Sequence, residues 1–110
     1  MPLNVKTSKF KFMIFIDKIR QLREEQKIPQ RVLAAALEID TATYCKIEKG
    51  ERHAKREQVL IIARLLKTNK TELLNLWLAY QVYSFVKDEK NPDQVLNIVS
   101  ENIVEYGKRK

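Results

Sequence analysis

Residues 30–50, QRVLAAALEIDTATYCKIEKG, constrain the fold more tightly than any other stretch of the chain. Val32, Leu33, Ala36 and Leu37 recur at the spacing of one helical face, in a frame of alanines that favours helix. Asp40 and Thr41 are both good N-caps for a second short helix, in which Tyr44 and Ile47 share the face turned to the core. Gly50 ends that helix, because glycine enters the left-handed region without strain. The stretch therefore reads as two short helices joined by a tight turn. The core leaves unclaimed the face of Thr41, Ala42, Cys45, Lys46 and Lys49, which is small, polar or positive. A short helix with such a face, followed at once by positive charge, is one that a duplex major groove can accept.

One compact domain with an appendage suits 110 residues of which 45% are hydrophobic. Two glycines and three prolines leave little scope for long irregular loops, and strand-like alternation is scarce, so the expected class is all-α. The formal charge of +7 points to a polyanionic partner, nucleic acid first and an anionic membrane surface second. One cysteine excludes an internal disulfide, and with a single histidine it cannot complete a tetrahedral metal site, so neither metal nor cofactor is expected. A reducing, cytoplasmic setting is the expected compartment. The apolar cluster at 10–16 is interrupted by Lys11 and ended by Asp17, too short for a membrane span and poor as an export signal. The chain is thus expected to be soluble and not exported, with no membrane partner.

Residues 1–11 read as a loose basic arm carrying Lys6 and Lys9, with Ser8 placed to cap the first helix. Phe12, Phe15, Ile16, Ile19 and Leu22 give that helix, from 12 to about 26. Phe10, Phe12, Met13 and Phe15 exceed what one core face needs, and supply either extra core, including a lid over the C-terminal part, or a partner contact. Lys27-Ile28-Pro29 is a break, since proline disfavours helix at the residue before it. After Gly50 the polar connection ERHAKR leads to a fourth helix at 57–67, and Asn69 with Glu72 makes a capping pair for a fifth at 71–87. That fifth helix is apolar nearly all round and must be covered on two sides. Asn91-Pro92 opens a last helix that runs to Tyr106 and ends at Gly107, with Val95, Leu96, Val99 and Ile103 as its stripe.

Charge divides the chain. Residues 46–56 hold five Lys/Arg against two Glu, whereas 88–106 hold one Lys against five Asp/Glu. A phosphate backbone would attract the first segment and repel the second, so two regions have two tasks.

Taken together, Ile-x-x-Leu-Arg from Ile19, Gln30 with Leu33-Ala34, Ile47-Glu48-x-Gly50 and Leu73-Leu74 after the capping pair resemble a known family. They look like the λ-repressor-like helix-turn-helix domains of the xenobiotic-response-element class, five-helix DNA binders of bacteria and phages. The resemblance covers residues 19–74. It implies an all-α, five-helix λ-repressor-like helix-turn-helix domain at 12–76; the C-terminal helical extension at 77–110, apolar, acidic outside and not required by that domain, is the expected dimerisation segment. The family's turn glycine is replaced by Glu38, its proline after the Gly-x-Arg stretch by Ala54, and its capping Ser or Thr before Gln30 by Pro29. Glu38 or a neighbour must then adopt positive φ at some cost.

Carried over by position, the resemblance puts Thr41, Ala42 and Lys46 at base edges and Gln30, Thr43, Lys49, Arg52, His53 and Arg56 at phosphates. It also implies a structural ion pair between Arg23 and Glu48. No nucleophile and base are spaced to work together, so an enzyme is not expected. Tyr44 is read as core, and Cys45 as a small residue at the edge of the reading face. Trp77, Tyr80, Phe85, Val95, Val99 and Ile103 are the expected dimer contacts, with a ligand pocket between the last two helices as the alternative. The resulting expectation is a cytoplasmic transcription regulator, usually a repressor, that binds double-stranded DNA as a homodimer on a pseudo-palindromic operator. No small-molecule effector can be identified. The alternatives are a restriction–modification controller or antitoxin-type DNA binder with a second protein partner, and a protein-interaction module that has lost DNA binding.

Overall fold

A computed structural model describes residues 14–107. The expected basic arm, its Ser8 cap and the apolar Phe10, Phe12 and Met13 lie outside the described residues. Among the described residues the all-α expectation holds, with six helices: α1 Phe15–Glu25, α2 Gln30–Leu37, α3 Thr41–Lys49, α4 Arg56–Leu65, α5 Lys70–Val86 and α6 Pro92–Gly107.

Helix starts follow local chemistry. Asp40 Oδ1 accepts from the Thr43 N–H at 2.7 Å, and Asn69 Oδ1 accepts from the Glu72 N–H at 2.9 Å, each satisfying a donor that the helix leaves unpaired. Helix ends share one device. At Lys27, Glu38, Gly50 and Lys67 the backbone turns left-handed, with φ of 57°, 59°, 81° and 58°. In each case the next residue's N–H reaches back to the carbonyl five before it: Ile28 to Arg23, Ile39 to Ala34, Glu51 to Lys46 and Thr68 to Ala63, all within 3.0 Å. These are Schellman closures, and only one of the four uses glycine. The turn between α2 and α3 thus keeps the left-handed residue in place with Glu38, as the missing glycine required.

The chain divides into two compact units, one ending at Tyr80 and the other beginning at Gln81. In the first, α2 packs against α3 and α4, while α1 packs against α3. Ile19, Leu33, Tyr44, Val59 and Ile62 have no exposed surface, so every one of these helices contributes a fully buried side chain. Full burial of such a side chain stabilises by about 1.5–3 kcal/mol.

Two of the expected dimer residues belong to this core. Trp77 and Tyr80 are 9% and 8% exposed. Trp77 Nε1–H donates to the Ala54 carbonyl at 2.9 Å, and the Tyr80 ring lies 6.3 Å from that of Phe15. The first unit therefore runs four residues past the boundary expected after Leu76. Both side chains pack inward because the segment after α3 needs them as a support.

In the second unit, α6 has no buried residue. Val95, Leu96, Val99 and Ile103 are 39%, 41%, 45% and 68% exposed, and Phe85, near the end of α5, is 87% exposed. Of α5, Leu73, Trp77 and Tyr80 are buried in the first unit, and Val86 is buried at its end in the second.

Candidate nucleic-acid interface

The two faces of α3 are built from a nine-residue helix whose apolar positions are few. Tyr44 and Ile47 are buried, at 0% and 1% exposure, and they fix which way the helix faces. Thr41, Ala42, Lys46 and Lys49 are left exposed, with Thr43 and Cys45 half-buried at the margin. The Asp40 carboxyl, which caps α3, is held below its ordinary value by its hydrogen bond from Thr43, with smaller contributions from Lys46 and Arg52 nearby. The exposed Arg52, His53, Lys55 and Arg56 come in the next turn of chain.

Beneath this surface lies a polar network centred on Glu48, which is 3% exposed. Arg23 grips its carboxylate with both ends of the fork, Nε to Oε2 at 2.7 Å and Nη2 to Oε1 at 3.1 Å, while Nη1 donates to the Ile28 carbonyl at 3.0 Å. The Tyr44 hydroxyl donates to Oε2 at 2.6 Å, and Gln30 Nε2 donates to Oε1 at 3.1 Å. The Cys45 thiol in turn donates to Gln30 Oε1 at 2.9 Å. Glu48 thus ties the C-terminal end of α3 to α1 and to the first residue of α2. A bidentate, charge-assisted pair of this kind holds direction as well as distance.

The network sets its own protonation. Burial works to push the Glu48 carboxyl up, but the hydrogen bonds from Arg23, Tyr44 and Gln30 outweigh it and hold the group below its ordinary 4.5. Burial, and then the bond to Glu48, drive the Tyr44 phenol far above its ordinary range, so it stays a neutral donor. Because the folded state holds the Glu48 proton less tightly than the unfolded chain, the stabilisation is complete above the ordinary carboxylate range. It is lost as pH falls through the lowered folded value. The urea midpoint of the parent should therefore fall between about pH 6 and pH 3 more steeply than that of Glu48→Gln. Equal slopes would remove Glu48 from the acid response.

The segment after α3 is held from below. Gly50 closes the helix at φ 81°, and a Cβ there would stand 2.9 Å from the Tyr80 hydroxyl. The Ala54 carbonyl accepts from Trp77, Ala54 itself is buried, and the His53 ring lies 5.3 Å from the Tyr80 ring. Two aromatic side chains of α5 thereby anchor a basic loop beside the open face of α3. Exposed cations are thus set on a fixed frame beside a short, polar helix face.

The family model described as Helix-turn-helix matches residues 19–73, half of the 110-residue chain. The chain belongs to the helix-turn-helix family. This is the λ-repressor-like, xenobiotic-response-element class, whose members are DNA-binding regulators. Neither the comparison with curated proteins nor that with solved structures gives a match.

Within the helix-turn-helix unit the structure places Thr41, Ala42 and Lys46 together on the open side of α3, with Lys49 one turn on and Arg52, His53 and Arg56 beyond it. Gln30 sits under that face instead of standing clear of it, since both ends of its amide are used. Phe85, Val95, Val99 and Ile103 belong to the second unit, apart from the helix-turn-helix domain. Sequence reasoning had no hold on the roles of Tyr44, Cys45 and Gln30 around Glu48. The available signal was Tyr44 and Glu48 four apart on one helix, a spacing that brings their side chains together. Among the described residues no group of His, Cys, Asp and Glu is arranged to hold a metal ion, and no helix is long and apolar enough to cross a membrane.

Proposed function

We propose that the protein is a cytoplasmic transcription regulator that reads duplex DNA with α3 and acts as a homodimer on a pseudo-palindromic operator, most simply as a repressor. The observation that carries this is the open face of α3, polar and basic, tied to α1 and α2 through Glu48 and flanked by the anchored 52–55 segment and Arg56 at the start of α4. Lys46 donates to guanine O6 or N7, and the methyl groups of Thr41 and Ala42 meet a thymine methyl. Thr43, Lys49, Arg52, His53 and Arg56 hold phosphates and set register. Gln30 contributes from the N-terminus of α2, where the second hydrogen of its Nε2 and the helix dipole favour an anion. A single short helix reads few base pairs, so a second half-site about one helical turn away supplies both affinity and discrimination.

The test is operator binding, on a site selected from random duplexes, measured against salt for the parent and for Lys46→Ala. The parent's log affinity should fall steeply with log salt. Lys46→Ala should cost about 1–3 kcal/mol on the cognate site and relax one base position. A flat salt plot would remove DNA as the partner, and equal loss on every sequence would make Lys46 a phosphate contact. A second reading, an antitoxin or restriction–modification controller that engages another protein, is favoured by the exposed apolar residues of α6. An interaction module without DNA binding is the reading that a flat plot would leave, with the exposed Glu38, Asp40 and Glu51 as its polar contacts.

A further inference from the structure

We infer that Cys45 is a positioning residue for the DNA backbone: its thiol locks the Gln30 side-chain amide with the nitrogen, and not the oxygen, free to donate to a phosphate. This rests on the reading above in which Gln30 meets a phosphate, and it gives control of that contact to a residue of the reading helix.

The Gln30 amide bridges two side chains of α3 that stand one turn apart. Its Nε2 donates to Glu48 Oε1 at 3.1 Å, and its Oε1 accepts from the Cys45 thiol at 2.9 Å. Positions 45 and 48 share a side of the helix, so the order of donor and acceptor along α3 dictates which way round the amide lies. The last torsion of a glutamine is broad and roughly two-fold, and a single bond to Glu48 would leave the amide plane free to turn about that bond. The second bond, at the opposite end of the amide, removes this freedom. It also opposes the flipped orientation, which would set Oε1 against the Glu48 carboxylate.

One hydrogen carries the consequence. Glu48 receives Arg23 at both of its oxygens, the Tyr44 hydroxyl at Oε2 and Gln30 at Oε1, which fills the roughly four acceptor sites of a carboxylate. One Nε2 hydrogen is spent there, and the other has no acceptor among the described residues. It belongs to the first residue of α2, where unpaired backbone N–H groups already favour an anion. A locked amide offers a phosphate a donor with no torsion left to freeze, whereas an unlocked one presents its oxygen part of the time and repels the phosphate. Cys45 is half-buried at the margin of the open face, so it acts through Gln30 and leaves the base edges to its exposed neighbours Thr41, Ala42 and Lys46.

The test uses the full chain in two arms, with circular dichroism to show that every variant keeps its helix. Without DNA, nitrogen relaxation of the Gln30 side-chain amide should give an order parameter near that of rigid backbone, about 0.85, in the parent and in Cys45→Ser, and below about 0.6 in Cys45→Ala. With DNA, the selected operator is compared with copies that carry one uncharged methylphosphonate at a time. Cys45→Ala should weaken operator binding about fivefold with base preference unchanged, while Cys45→Ser, which restores a donor, should bind within about twofold of the parent. In a Gln30→Ala chain, Cys45→Ala should have no further effect. Neutralising one phosphate per half-site should abolish the defects of Gln30→Ala and Cys45→Ala together. A Gln30 amide as rigid in Cys45→Ala as in the parent would overturn the positioning role. So would a Cys45→Ala defect that persists in the Gln30→Ala chain, or a Cys45→Ser chain no better than Cys45→Ala. Parent binding that is steep in salt yet indifferent to Gln30→Ala would overturn the Gln30 contact, and this role with it, and leave the DNA reading standing. A parent without salt-dependent binding would overturn the DNA reading itself and the role of Cys45 in it.

Discussion

Arg23→Ala is expected to cost about 3–5 kcal/mol of folding stability, because it strips a buried carboxylate of its only cationic partner among the described residues. Glu48 is 3% exposed and the Arg23 side chain 12%, so water cannot take over the role of the guanidinium. The Tyr44 hydroxyl and Gln30 amide would remain as donors, but neither carries charge. For a domain of this size the loss should lower the melting temperature on the order of 20 °C. Replacing both partners, Arg23→Leu with Glu48→Leu, should recover much of that loss, since two apolar side chains leave no buried charge behind. The functional consequence is separate from the stability cost. The double variant should fold and yet bind operator less well, because α3 would be packed against α1 without the bidentate grip that fixes its direction. Thermal unfolding of the two variants decides the matter. A loss below about 1 kcal/mol for Arg23→Ala would mean that the pair is worth no more than a surface bridge.

Apolar periodicity and punctuation made most of this fold legible. The stretch from Gln30 to Leu37 and the cap at Asp40 could be placed from residue types alone, because helix spacing and N-cap preference act locally. The missing turn glycine was legible as strain and appears as Glu38 at φ 59°. Lys27 and Lys67 take the same conformation without any such sign, because lysine has no preference for it and the Schellman hydrogen bonds hold it there. Trp77 and Tyr80 show the limit of composition. An aromatic residue in a helix that is apolar all round can face a partner or its own core, and only the position of Ala54 and Gly50 decides between them. The network under α3 was half legible: the resemblance supplied Arg23 and Glu48, whereas the Gln30–Cys45 bond depends on two side chains fifteen residues apart meeting across the turn.

Gly50→Ala is expected to cost about 2–4 kcal/mol, more than the left-handed conformation alone accounts for. An L-residue at φ 81° is strained by about 1 kcal/mol or somewhat more, and Glu38 shows that the fold accommodates such a residue elsewhere. The difference lies in the neighbours. The added Cβ would stand 2.9 Å from the Tyr80 hydroxyl and 3.3 Å from Ile16 Cδ1. Tyr80 cannot simply swing aside, being 8% exposed with its ring beside those of Phe15 and His53. Forcing a methyl group into such packing costs about 1–3 kcal/mol beyond the backbone strain. Tyr80→Phe takes away the atom that the methyl group meets first, so Gly50→Ala should cost about 1 kcal/mol less in that background. The displaced Tyr80 would carry His53 and the adjoining cations with it, weakening operator affinity on all sequences while leaving base preference intact. Urea denaturation of the four chains of this cycle measures the coupling. Strictly additive losses would show that strain at Gly50 is confined to the backbone and that Tyr80 does not set the position of the basic loop.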